Sequence, residues 1–381
     1  MGTITRINKY CFISPEYPPE TGFGGIGTYV WHMARVLASN GIDVTIFSYS
    51  TEKDKTYLED GIKVVRKKIK KFQYLLWYIR VILFLAKNRF DVIEDADFSG
   101  STFLYQLFYR RRRDFIHVKL HTCHKIIYYF ENRRSFFQRI TTSILDFIAS
   151  YVTRNADLIT SPSNTVKQMT GLLWNLPEHR IEPLAHPFSI LTSDYELKAI
   201  QGDYILYFGR LQELKGAKLI LELCKKDFLK DLPWKLILIG RDIYNFKAQL
   251  AEMDNKTVKK VEMINHMHDK KLLFSYIKSA RAVFLPSKFE SFGFTMLESL
   301  WFNPKTFVLN NSGPLEIMTS LGLHENILDE CLLMDNPQYL ASKILKKDYQ
   351  DVEAIRKKIN VAYGYDAIAN KLIKIIKSTN K

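Results

Sequence analysis

The chain has 381 residues, of which 47% are hydrophobic, and its 55 basic and 40 acidic side chains give a net charge of +15. This length exceeds the size at which one hydrophobic core usually stops growing, so we predict two domains. The charge favours a partner that carries phosphate groups, and the four scattered cysteines, without a C-x-x-C pair, argue against a disulfide framework or a structural zinc site.

Short apolar runs predict the strands of the first half. They are "KYCFIS" (9–14), "DVTIFSY" (43–49), "DVIEDA" (91–96), "FIHVKLH" (115–121) and "ADLITSPS" (156–163). Amphipathic segments such as "TYVWHMARVLASN" (28–40) separate them, and this alternation predicts a parallel sheet with helices on both faces.

Three glycines, Gly22, Gly24 and Gly27, match the G-x-G-x-x-G fingerprint of dinucleotide sites. Such a fingerprint follows its strand at once, whereas "PEYPPET" separates this one from the strand end at Ser14. The next strand also ends in "FSYS", without the acidic residue that binds a ribose. We therefore interpret the match as a coincidence over a shorter element, Gly24-Gly25.

A second series of apolar runs follows the proline-containing stretch 181–196. Its strands are "YILYFGR" (204–210), "KLILIGR" (235–241), "AVFLPS" (282–287) and "KTFVLN" (305–310). The chain thus predicts two doubly wound halves with a linker near 185–200, in which ligands lie at the carboxyl ends of strands. The final residues, ending "YDAIANKLIKIIKSTNK", have a helical pattern and close one domain or cross to the other.

Two cations follow the first strand of the second half. Arg210 ends "YILYFGR", and the turn "LQELKG" brings Lys215 back before a helix that begins near Gly216. An arginine fork and a lysine point charge on one loop can grip a diphosphate. In isolation, a surface pair that caps a turn is an equally good interpretation.

Two glutamates follow a later strand, in "KFESFGFTMLES". Glu290 lies in the loop, Gly293 at a predicted helix start and Glu298 about one turn inside that helix, where free amides favour a phosphate. Each glutamate alone more often complements the helix dipole. Together with Arg210 and Lys215, however, they describe a nucleotide-sugar site with cations for the diphosphate and carboxylates for hydroxyls.

Five motifs, taken in order, resemble a known family. They are "GGIGTYVWHMARVLASNGIDVTIFS", "VKLHT", "YFGRLQELKGAKLIL", "LILIGRD" and "LPSKFESFGFTMLES" followed by "SGPLEIM". Their order and spacing over nearly the whole chain are similar to those of the retaining, GT-B-fold glycosyltransferases of family 4. The resemblance implies an α/β protein with two Rossmann-like domains, each a doubly wound parallel sheet, facing each other across a cleft.

The resemblance also implies a division of labour between domains. Residues 1–190 would form the acceptor-side domain and residues 200–355 the nucleotide-sugar-binding domain, while 356–381 would form a helix packing back on the amino-terminal domain. The substrates would be a nucleoside diphosphate sugar and a saccharide or lipid-linked acceptor, and no cofactor is implied. The leaving phosphate would itself take the acceptor proton, since no protein nucleophile is obvious.

The matching motifs imply which residues of this sequence would contact the donor. Arg210 and Lys215 would neutralise the diphosphate, Glu298 would hold the ribose and Glu290 would contact the donor sugar. The implied catalytic residues are His121, Arg210, Lys215 and Glu290. The implied donor-binding residues are Gly24, Gly25, Arg210, Lys215, Glu290, Ser291, Phe292, Gly293, Phe294 and Glu298.

The amino-terminal half would contribute backbone and a histidine. Gly24 and Gly25 would let their loop approach the phosphates, and His121 in "VKLHT" matches the histidine beside the transferred sugar. As a lone strand-end residue His121 would more often be structural, and "HTCH", with Cys123 and His124, also suggests a metal ligand set. We predict no metal, because ligands at recognisable spacing are too few.

An acidic pair, Asp95 and Asp97 in "EDADFSG", has the D-x-D spacing that binds a divalent cation in the other glycosyltransferase fold. It lies far in sequence from the diphosphate cations, so we predict an acceptor-side or structural role. Three positions depart from the family pattern: Ser299 replaces alanine, Asn303 replaces glycine, and Asn265 stands where a glycine often precedes the loop at the nucleotide base.

Basic clusters occupy the first third of the chain at 64–72, 109–115 and 131–139. A solvated surface is the plainer interpretation. The sharper one is a patch that faces an anionic membrane, because aromatic and aliphatic residues interleave with the charges. Those residues are Phe72, Tyr74, Leu75, Trp77 and Tyr78. No nucleic-acid-binding signature accompanies the charge, so we predict no nucleic-acid partner.

The location follows from what the sequence lacks. The longest apolar run, Tyr74 to Ala86, contains Arg80 and is shorter than the roughly 20 residues of a membrane span. The amino terminus has no apolar core before a cleavage site, so no secretory signal is supported. We expect a cytoplasmic protein, peripheral on the inner face of the cell membrane if the basic patch binds it.

The sequence therefore predicts a retaining, metal-independent glycosyltransferase of cell-surface glycan or lipid-linked saccharide synthesis. Three other functions stay open. One is a sugar-nucleotide epimerase or similar GT-B enzyme that uses the donor without an acceptor. Another is a membrane-associated scaffold with a degenerate site. The third is a dehydrogenase, which binding of NAD would favour.

Overall fold

The computed structural model describes residues 7–22, 24–70, 74–109, 114–131, 135–190, 196–226, 228–229, 232–346 and 349–379. It divides into two compact units, one formed by 1–189 with 362–381 and the other by 190–361. Each unit has its own sheet, and all strand pairs but one are parallel. The predicted α/β class with two parallel-sheet domains is confirmed.

The strands of the two sheets are β1 (Lys9–Ile13), β2 (Asp43–Ser50), β3 (Lys55–Glu59), β4 (Ile62–Lys68), β5 (Val92–Ala96), β6 (Phe115–Lys119), β7 (Leu158–Ser161), β8 (Ile181–Pro183), β9 (Tyr204–Phe208), β10 (Lys235–Ile239), β11 (Val261–Ile264), β12 (Ala282–Leu285), β13 (Thr306–Leu309) and β14 (Ile327–Leu328). The α-helices are α1 (Gly25–Ser39), α2 (Tyr74–Lys87), α3 (Phe103–Tyr109), α4 (His124–Glu131), α5 (Phe136–Arg154), α6 (Asn164–Trp174), α7 (Ala217–Lys225), α8 (Phe246–Ala251), α9 (Asn255–Lys260), α10 (Lys270–Ser279), α11 (Phe294–Phe302), α12 (Ser312–Ser320), α13 (Glu330–Asp335), α14 (Gln338–Leu345), α15 (Val352–Tyr363) and α16 (Tyr365–Thr379).

The first unit has the strand order β3-β4-β2-β1-β5-β6-β7-β8. Strands β1, β5, β6 and β7 are almost wholly buried, as expected of a parallel sheet covered on both faces. Chain direction across the sheet reverses between β1 and β5, so right-handed crossovers put α1 on one face and α2, α3 and α5 on the other. Helix α16 packs on α1, where Nδ1 of His32 lies 2.7 Å from the Tyr365 hydroxyl.

The second unit has the strand order β11-β10-β9-β12-β13-β14, all parallel. Its core forms where apolar strand residues meet the buried face of α7, as between Leu238, Phe284 and Ile220. Here the chain direction reverses between β9 and β12. In open α/β sheets the carboxyl ends of strands at such a switch point form the usual ligand crevice.

Part of the proposed membrane patch lies in the interior. Arg66, in the basic run that forms β4, is fully buried and donates to the carbonyl oxygens of Tyr17 at 2.9 Å and Pro18 at 3.0 Å. Trp77 is 5% exposed and its Nε1 donates to Oγ of Ser101 at 2.9 Å. The expectation that these residues face a membrane was therefore wrong, because both side chains are buried and hydrogen-bonded within the first unit.

Other members of that patch fall elsewhere. Leu75 is 68% exposed, whereas Tyr78 is half-buried and its hydroxyl donates to the carbonyl oxygen of Ser99 at 3.2 Å. Phe72 and the arginine-rich stretches 110–113 and 132–134 lie outside the described residues. Within the described ranges no helix is both long enough and apolar enough to span a membrane.

Candidate active site

Two loops meet at the carboxyl ends of the neighbouring strands β9 and β12. Gly216 has a φ of +85°, and a Cβ there would lie 2.0 Å from the carbonyl oxygen of Pro286. Only glycine therefore allows the loop after β9 to touch the end of β12. The N–H of Lys288 joins the same loops by donating to the carbonyl oxygen of Leu214 at 2.9 Å.

Lys215 and Glu290 lie opposite each other where these loops meet. Nζ of Lys215 is 2.5 Å from Oε1 of Glu290, and the two side chains are 21% and 18% exposed. The hydroxyl of Ser287 donates to the same carboxylate oxygen at 3.2 Å, and the N–H of Glu290 donates to Oγ of Ser312 at 3.0 Å. Glu290 is thus fixed from both its side chain and its backbone, while the pair keeps an open side.

Arg210 brings a second cation to this place. Its carbonyl oxygen accepts from the Tyr207 hydroxyl at 2.8 Å, and the residue is exposed. Burial raises the pKa of Tyr207, and the charges of Glu290 and Arg210 act on it in opposite directions, so both groups lie near that hydroxyl. Within the described part of the chain the Arg210 guanidinium has no hydrogen-bond or ion-pair partner, so it is available to an anion.

Gly313 shapes the loop that carries Glu290. A Cβ at Gly313 would lie 2.8–2.9 Å from three carbonyl oxygens, those of Glu290, Ser291 and Phe292, and its N–H donates to the first of them at 3.0 Å. The loop is therefore wrapped around a residue without a side chain. Our sequence reasoning did not single out Gly313 or Tyr207, although "SGPLEIM" contains the glycine.

The loop ends at Gly293, which precedes α11 with a φ of +119°. The Phe292 ring is only 2% exposed and lies 5.3 Å from the half-buried Phe294 ring. Because these two rings are apolar, the polar groups that this segment can offer to a ligand are its backbone amides. The N-terminal amides of a helix favour an anion. Such an arrangement is suited to phosphate oxygens.

Glu298 lies in the second turn of α11 and is 17% exposed. Oε1 of Glu298 is 3.5 Å from Nζ of Lys270, a residue that is itself 63% exposed. This contact is long and solvent-exposed on the lysine side, so it restrains the carboxylate weakly. The geometry agrees with a carboxylate that accepts from hydroxyls.

In the first unit His121 follows β6 and is 5% exposed. Its ring lies 5.2 Å from that of Tyr29 and 5.1 Å from that of His186, and its Nε2 has no partner within the described residues. Burial, with a smaller contribution from the charge of Lys119, lowers the pKa of His121. The imidazole is therefore neutral, with one nitrogen left for a ligand. Our sequence reasoning missed His186, for which no motif gave a signal.

Asp97 holds the backbone of His121. Its Oδ1 accepts from the N–H groups of His121 and Phe98, each at 2.8 Å. Its other oxygen, Oδ2, is buried and has no partner within the described residues. Burial raises the pKa of Asp97 to about 7. A buried carboxylate oxygen without a donor is costly, so this atom marks a place for a ligand hydroxyl or a water.

Asp95 differs from Asp97 although it lies two residues away. Its Oδ2 accepts from the N–H and the hydroxyl of Thr102 at 2.7 and 2.8 Å, and its Oδ1 accepts from Ser99 at 2.9 Å. All its strong acceptor positions serve the turn before α3. The structure thus separates the D-x-D pair into a turn-forming and an unsatisfied carboxylate.

The glycines of the glycine-rich segment differ in how closely other atoms approach them. A Cβ at Gly27 would lie 2.1 Å from the carbonyl oxygen of Gly22. A Cβ at Gly22 would lie 2.3 Å from the Cβ of Glu16. By contrast, among the described residues a Cβ at Gly25 would have no neighbouring atom within 4 Å, and a Cβ at Gly24 would meet a single one, a carboxylate oxygen of Glu16 at 3.3 Å. Gly22 and Gly27 are needed by the loop itself, whereas Gly24 and Gly25 border open space.

A buried polar network supports this loop and His121. The Tyr10 hydroxyl donates to Glu94 and lies 2.9 Å from Nδ1 of His117. The hydroxyl of Tyr29, one turn after Gly25 in α1, is buried near Glu94, and burial together with the Glu94 charge raises the pKa of Tyr29. Beside them Lys119 is fully buried and donates to a backbone carbonyl, and burial lowers its pKa to about 7. Helix α1 packs against these strand ends through the Tyr29 ring, whose centroid lies 5.2 Å from Nζ of Lys119 and 5.2 Å from the His121 ring.

The two histidines of "HTCH" contact different neighbours. Nε2 of His124 lies 2.8 Å from the carbonyl oxygen of Phe98 and its ring stacks on that residue at 4.0 Å. Cys123 is buried. In the ranges that the structure describes, no group of three or more His, Cys, Asp or Glu residues is arranged to hold a metal ion.

Comparisons with known proteins agree with this fold. A family model described as Glycosyltransferase Family 4 matches residues 23–187, and one described as Glycosyl transferases group 1 matches residues 196–360. These matches confirm the resemblance drawn from the five motifs. No curated protein matches the chain significantly in sequence.

Solved structures match both units of the chain at low identity. A sucrose-phosphate synthase from Thermosynechococcus elongatus is 14% identical with a TM-score of 0.71, over 97% of this chain and 98% of that one. The lipopolysaccharide outer core galactosyltransferase WaaB is 18% identical with a TM-score of 0.67, over 97% and 99%. The catalytic domain of starch synthase IV from Arabidopsis thaliana is 12% identical with a TM-score of 0.70, over 98% and 99%.

These structures share the GT-B fold with this chain, and the family models cover most of both units. The motifs that carry Arg210, Lys215 and Glu290 lie within the second match, and His121 lies within the first. The chain therefore belongs to the GT-B-fold glycosyltransferases of the family 4 type.

Proposed function

We propose that the protein is a retaining, metal-independent glycosyltransferase that moves a hexose or related sugar from a nucleoside diphosphate to an acceptor hydroxyl. Its product would be a cell-surface glycan or a lipid-linked saccharide. The observation that carries this proposal is the convergence of Arg210, Lys215 and Glu290 at the carboxyl ends of β9 and β12. Two cations, one carboxylate and a helix N-terminus suit a sugar diphosphate.

The donor site follows from the charges. Arg210 has an unpaired guanidinium within the described residues, and Lys215 exchanges its contact with Glu290 for a phosphate oxygen when the donor binds. The backbone amides at the start of α11 lie at the positive end of the helix dipole and add a third source of positive charge. These groups neutralise the leaving diphosphate without a metal ion. Glu290, released from Lys215, accepts from hydroxyls of the donor sugar, and Glu298 accepts from those of the ribose.

The amino-terminal unit supplies the acceptor side. His121 is neutral and presents Nε2 to the transferred sugar, and Asp97 presents Oδ2 to an acceptor hydroxyl. Gly24 and Gly25 leave room for a phosphate beside the first amides of α1. Asp95 serves the turn and takes no part.

The reaction would proceed through a bond-breaking step with oxocarbenium character at the anomeric carbon. Negative charge grows on the leaving diphosphate as this bond breaks, and preorganised cations and amides there lower the barrier most. With the donor bound, Glu290 accepts hydrogen bonds from hydroxyls of the donor sugar and from Ser287, so we assign it no role as a nucleophile. The leaving phosphate takes the acceptor proton from the same face, which retains the anomeric configuration.

The proposal is tested with Lys215→Ala in a transfer and donor-hydrolysis assay against a panel of nucleotide sugars, with and without EDTA. We expect kcat/KM to fall by about 10²-fold or more, because the variant lacks one charge on the leaving group. The matched control is Lys343→Ala, since Lys343 is 15% exposed and pairs with Glu325 at 3.0 Å in the same unit. This control is expected to keep its activity.

Three results would contradict the proposal. The first is Lys215→Ala with the rate of the parent protein, and the second is an inverted anomeric configuration in the product. The third is loss of activity in EDTA that a divalent cation restores, which would remove the metal-independent part. An epimerised sugar nucleotide in place of a new glycosidic bond would favour the epimerase alternative.

A further inference from the structure

Helix α5 exposes a row of large apolar side chains. Phe136, Phe137, Ile140, Ile144 and Phe147 are 72%, 80%, 45%, 55% and 64% exposed. Apart from the first two neighbours, they follow each other at intervals of three or four residues, which puts them on one side of a helix. In a globular protein such a stripe normally faces the core, so its exposure calls for a partner.

Neighbouring helices extend this surface. On α2, Leu75, Ile79 and Leu83 are 68%, 39% and 56% exposed at intervals of four residues. Helix α3 contacts both α2 and α5 and exposes Leu107 and Phe108. We use the term apolar face for the exposed set Leu75, Ile79, Leu83, Leu107, Phe108, Phe136, Phe137, Ile140, Ile144 and Phe147.

The core side of these helices is already occupied. In α2 it is Trp77, Val81 and Leu85 that are buried, and in α5 it is Asp146 and Ala149, among others. Turning α2 or α5 to hide the exposed stripe would expose these residues instead. The apolar face is therefore a second, outward surface of helices whose inner surface is satisfied.

The length of α5 also bears on the position of the apolar face. At 1.5 Å per residue α5 is about 28 Å long, whereas a five-residue strand spans about 16 Å. Because α5 ends just before β7 begins, its first half extends beyond the carboxyl edge of the sheet. Four of its five exposed apolar residues lie in that half.

The helices that carry the apolar face hold mostly basic charges. Helices α2, α3 and α5 contain the basic residues Arg80, Lys87, Arg139 and Arg154 and a single acidic residue, Asp146. The acidic groups nearby are already paired. Asp54 contacts Lys67 at 3.0 Å and Arg80 at 3.1 Å, and Asp146, 5% exposed, contacts Lys125 at 3.0 Å.

We propose that the apolar face docks on an anionic lipid bilayer, with its aromatic and aliphatic side chains among the headgroups. An interfacial surface of this kind combines apolar burial with electrostatic attraction to acidic lipids. A second copy of the chain is a poorer occupant, because a two-fold contact would place these like charges opposite each other. The proposal goes beyond the proposed reaction and does not depend on it.

The test is flotation of the full chain with vesicles of phosphatidylcholine alone or mixed in equal parts with phosphatidylglycerol. We expect binding to the anionic vesicles that weakens with salt. Phe136→Ser/Phe137→Ser is expected to lower the partition coefficient by at least about tenfold, through lost apolar burial. Arg139→Glu, at an exposed position of α5, is expected to lower it about fivefold on anionic vesicles only.

The matched control is Leu332→Ser/Leu345→Ser, which removes two side chains that are 52% and 60% exposed in the second unit. It is expected to bind vesicles like the parent protein, and melting temperatures of all variants are compared to exclude unfolding. Equal absence of binding to both vesicles overturns the proposal. So does unchanged binding of Phe136→Ser/Phe137→Ser, or a concentration-dependent dimer that this variant loses.

Measuring donor hydrolysis without vesicles distinguishes a failure of the docking proposal from a failure of the proposed function. The apolar face contains no residue of the candidate active site, so Phe136→Ser/Phe137→Ser is expected to hydrolyse the donor like the parent protein. A chain that binds vesicles but uses no nucleotide sugar would keep the docking proposal and overturn the proposed function. A chain that uses a nucleotide sugar but binds no vesicle would do the reverse.

Discussion

The two kinds of glycine at the start of α1 make a sharp prediction. Replacing Gly27 by alanine puts a Cβ 2.1 Å from the carbonyl oxygen of Gly22, more than 1 Å inside a normal contact. Replacing Gly25 by alanine puts a Cβ in open space, since it would have no neighbouring atom within 4 Å in the part of the chain that the structure describes. The same change at two positions only two residues apart at the start of α1 is therefore expected to lower stability at Gly27 and activity at Gly25.

The magnitudes follow from these distances. A forced contact with backbone costs about 1–3 kcal/mol, while alanine gains up to about 1 kcal/mol over glycine in a helix. Gly27→Ala should thus lose about 1–2 kcal/mol, or roughly 2–8 °C in melting temperature for a unit of this size. Gly25→Ala should melt at the temperature of the parent protein or slightly above it.

For activity, the opposite order is expected, with the larger loss in Gly25→Ala. The Gly25→Ala methyl group fills the space through which a phosphate would approach the α1 amides, so kcat/KM should fall at least about tenfold. Melting curves and donor-hydrolysis kinetics on the same preparations measure both effects. Gly25→Ala with unchanged kcat/KM would refute the donor role of Gly24 and Gly25. Gly27→Ala with an unchanged melting temperature would refute the steric argument.

Two further predictions concern buried polar groups. Burial raises the pKa of Asp97 from 3.8 to about 7, so between these values the folded protein holds a proton that the unfolded chain has lost. The free energy of unfolding should therefore fall as pH rises through this window. Urea titrations at several pH values should show that Asp97→Asn lacks this decline; identical slopes would contradict the assignment. Asn303→Ala should lose about 2–3 kcal/mol by chemical denaturation, because the side chain donates to two backbone carbonyls at 3.0 and 2.7 Å and accepts from an N–H at 2.9 Å. Ser299→Ala, which loses only a bond within its own helix, is the control with a smaller effect, and equal losses would contradict the argument.

Much of the fold could be predicted because apolar strands of a parallel sheet leave a strong local pattern. All nine predicted strands are present, and their bounds differ from the prediction by a few residues. Strands β3, β4 and β8 were missed in the first unit, and β11 and β14 in the second. The run that forms β4 is mostly charged, so nothing local distinguishes its inward residues from its outward ones.

Arg66 illustrates why the membrane surface was misplaced. A sequence shows the charge of a basic run but not the carbonyl groups that satisfy it, and the partners of Arg66 come from residues 17 and 18, nearly fifty positions away. Conversely, the exposed stripe on α5 looks in sequence like an ordinary core-facing pattern. Only the packed sheet and helices show that its inner surface was already filled.

Asn303 shows the same limit at a single position. In the sequence it was a departure from the family glycine without an evident meaning. The structure gives it three hydrogen bonds between α10, α11 and β13, so it fills the place that a glycine would leave empty.

The residue types of the donor site were determined by the sequence itself, because cations, carboxylates and glycines stand in short motifs at the ends of apolar strands. Their family followed from the order of those motifs. What only the tertiary structure decided is which of these groups meet: Lys215 with Glu290 across 75 positions, Asp97 beneath the backbone of His121, and Gly24 and Gly25 beside open space rather than against the loop. Contacts of this kind depend on which strands are neighbours and on how closely glycine lets two backbones approach, and neither is encoded within a local stretch of sequence.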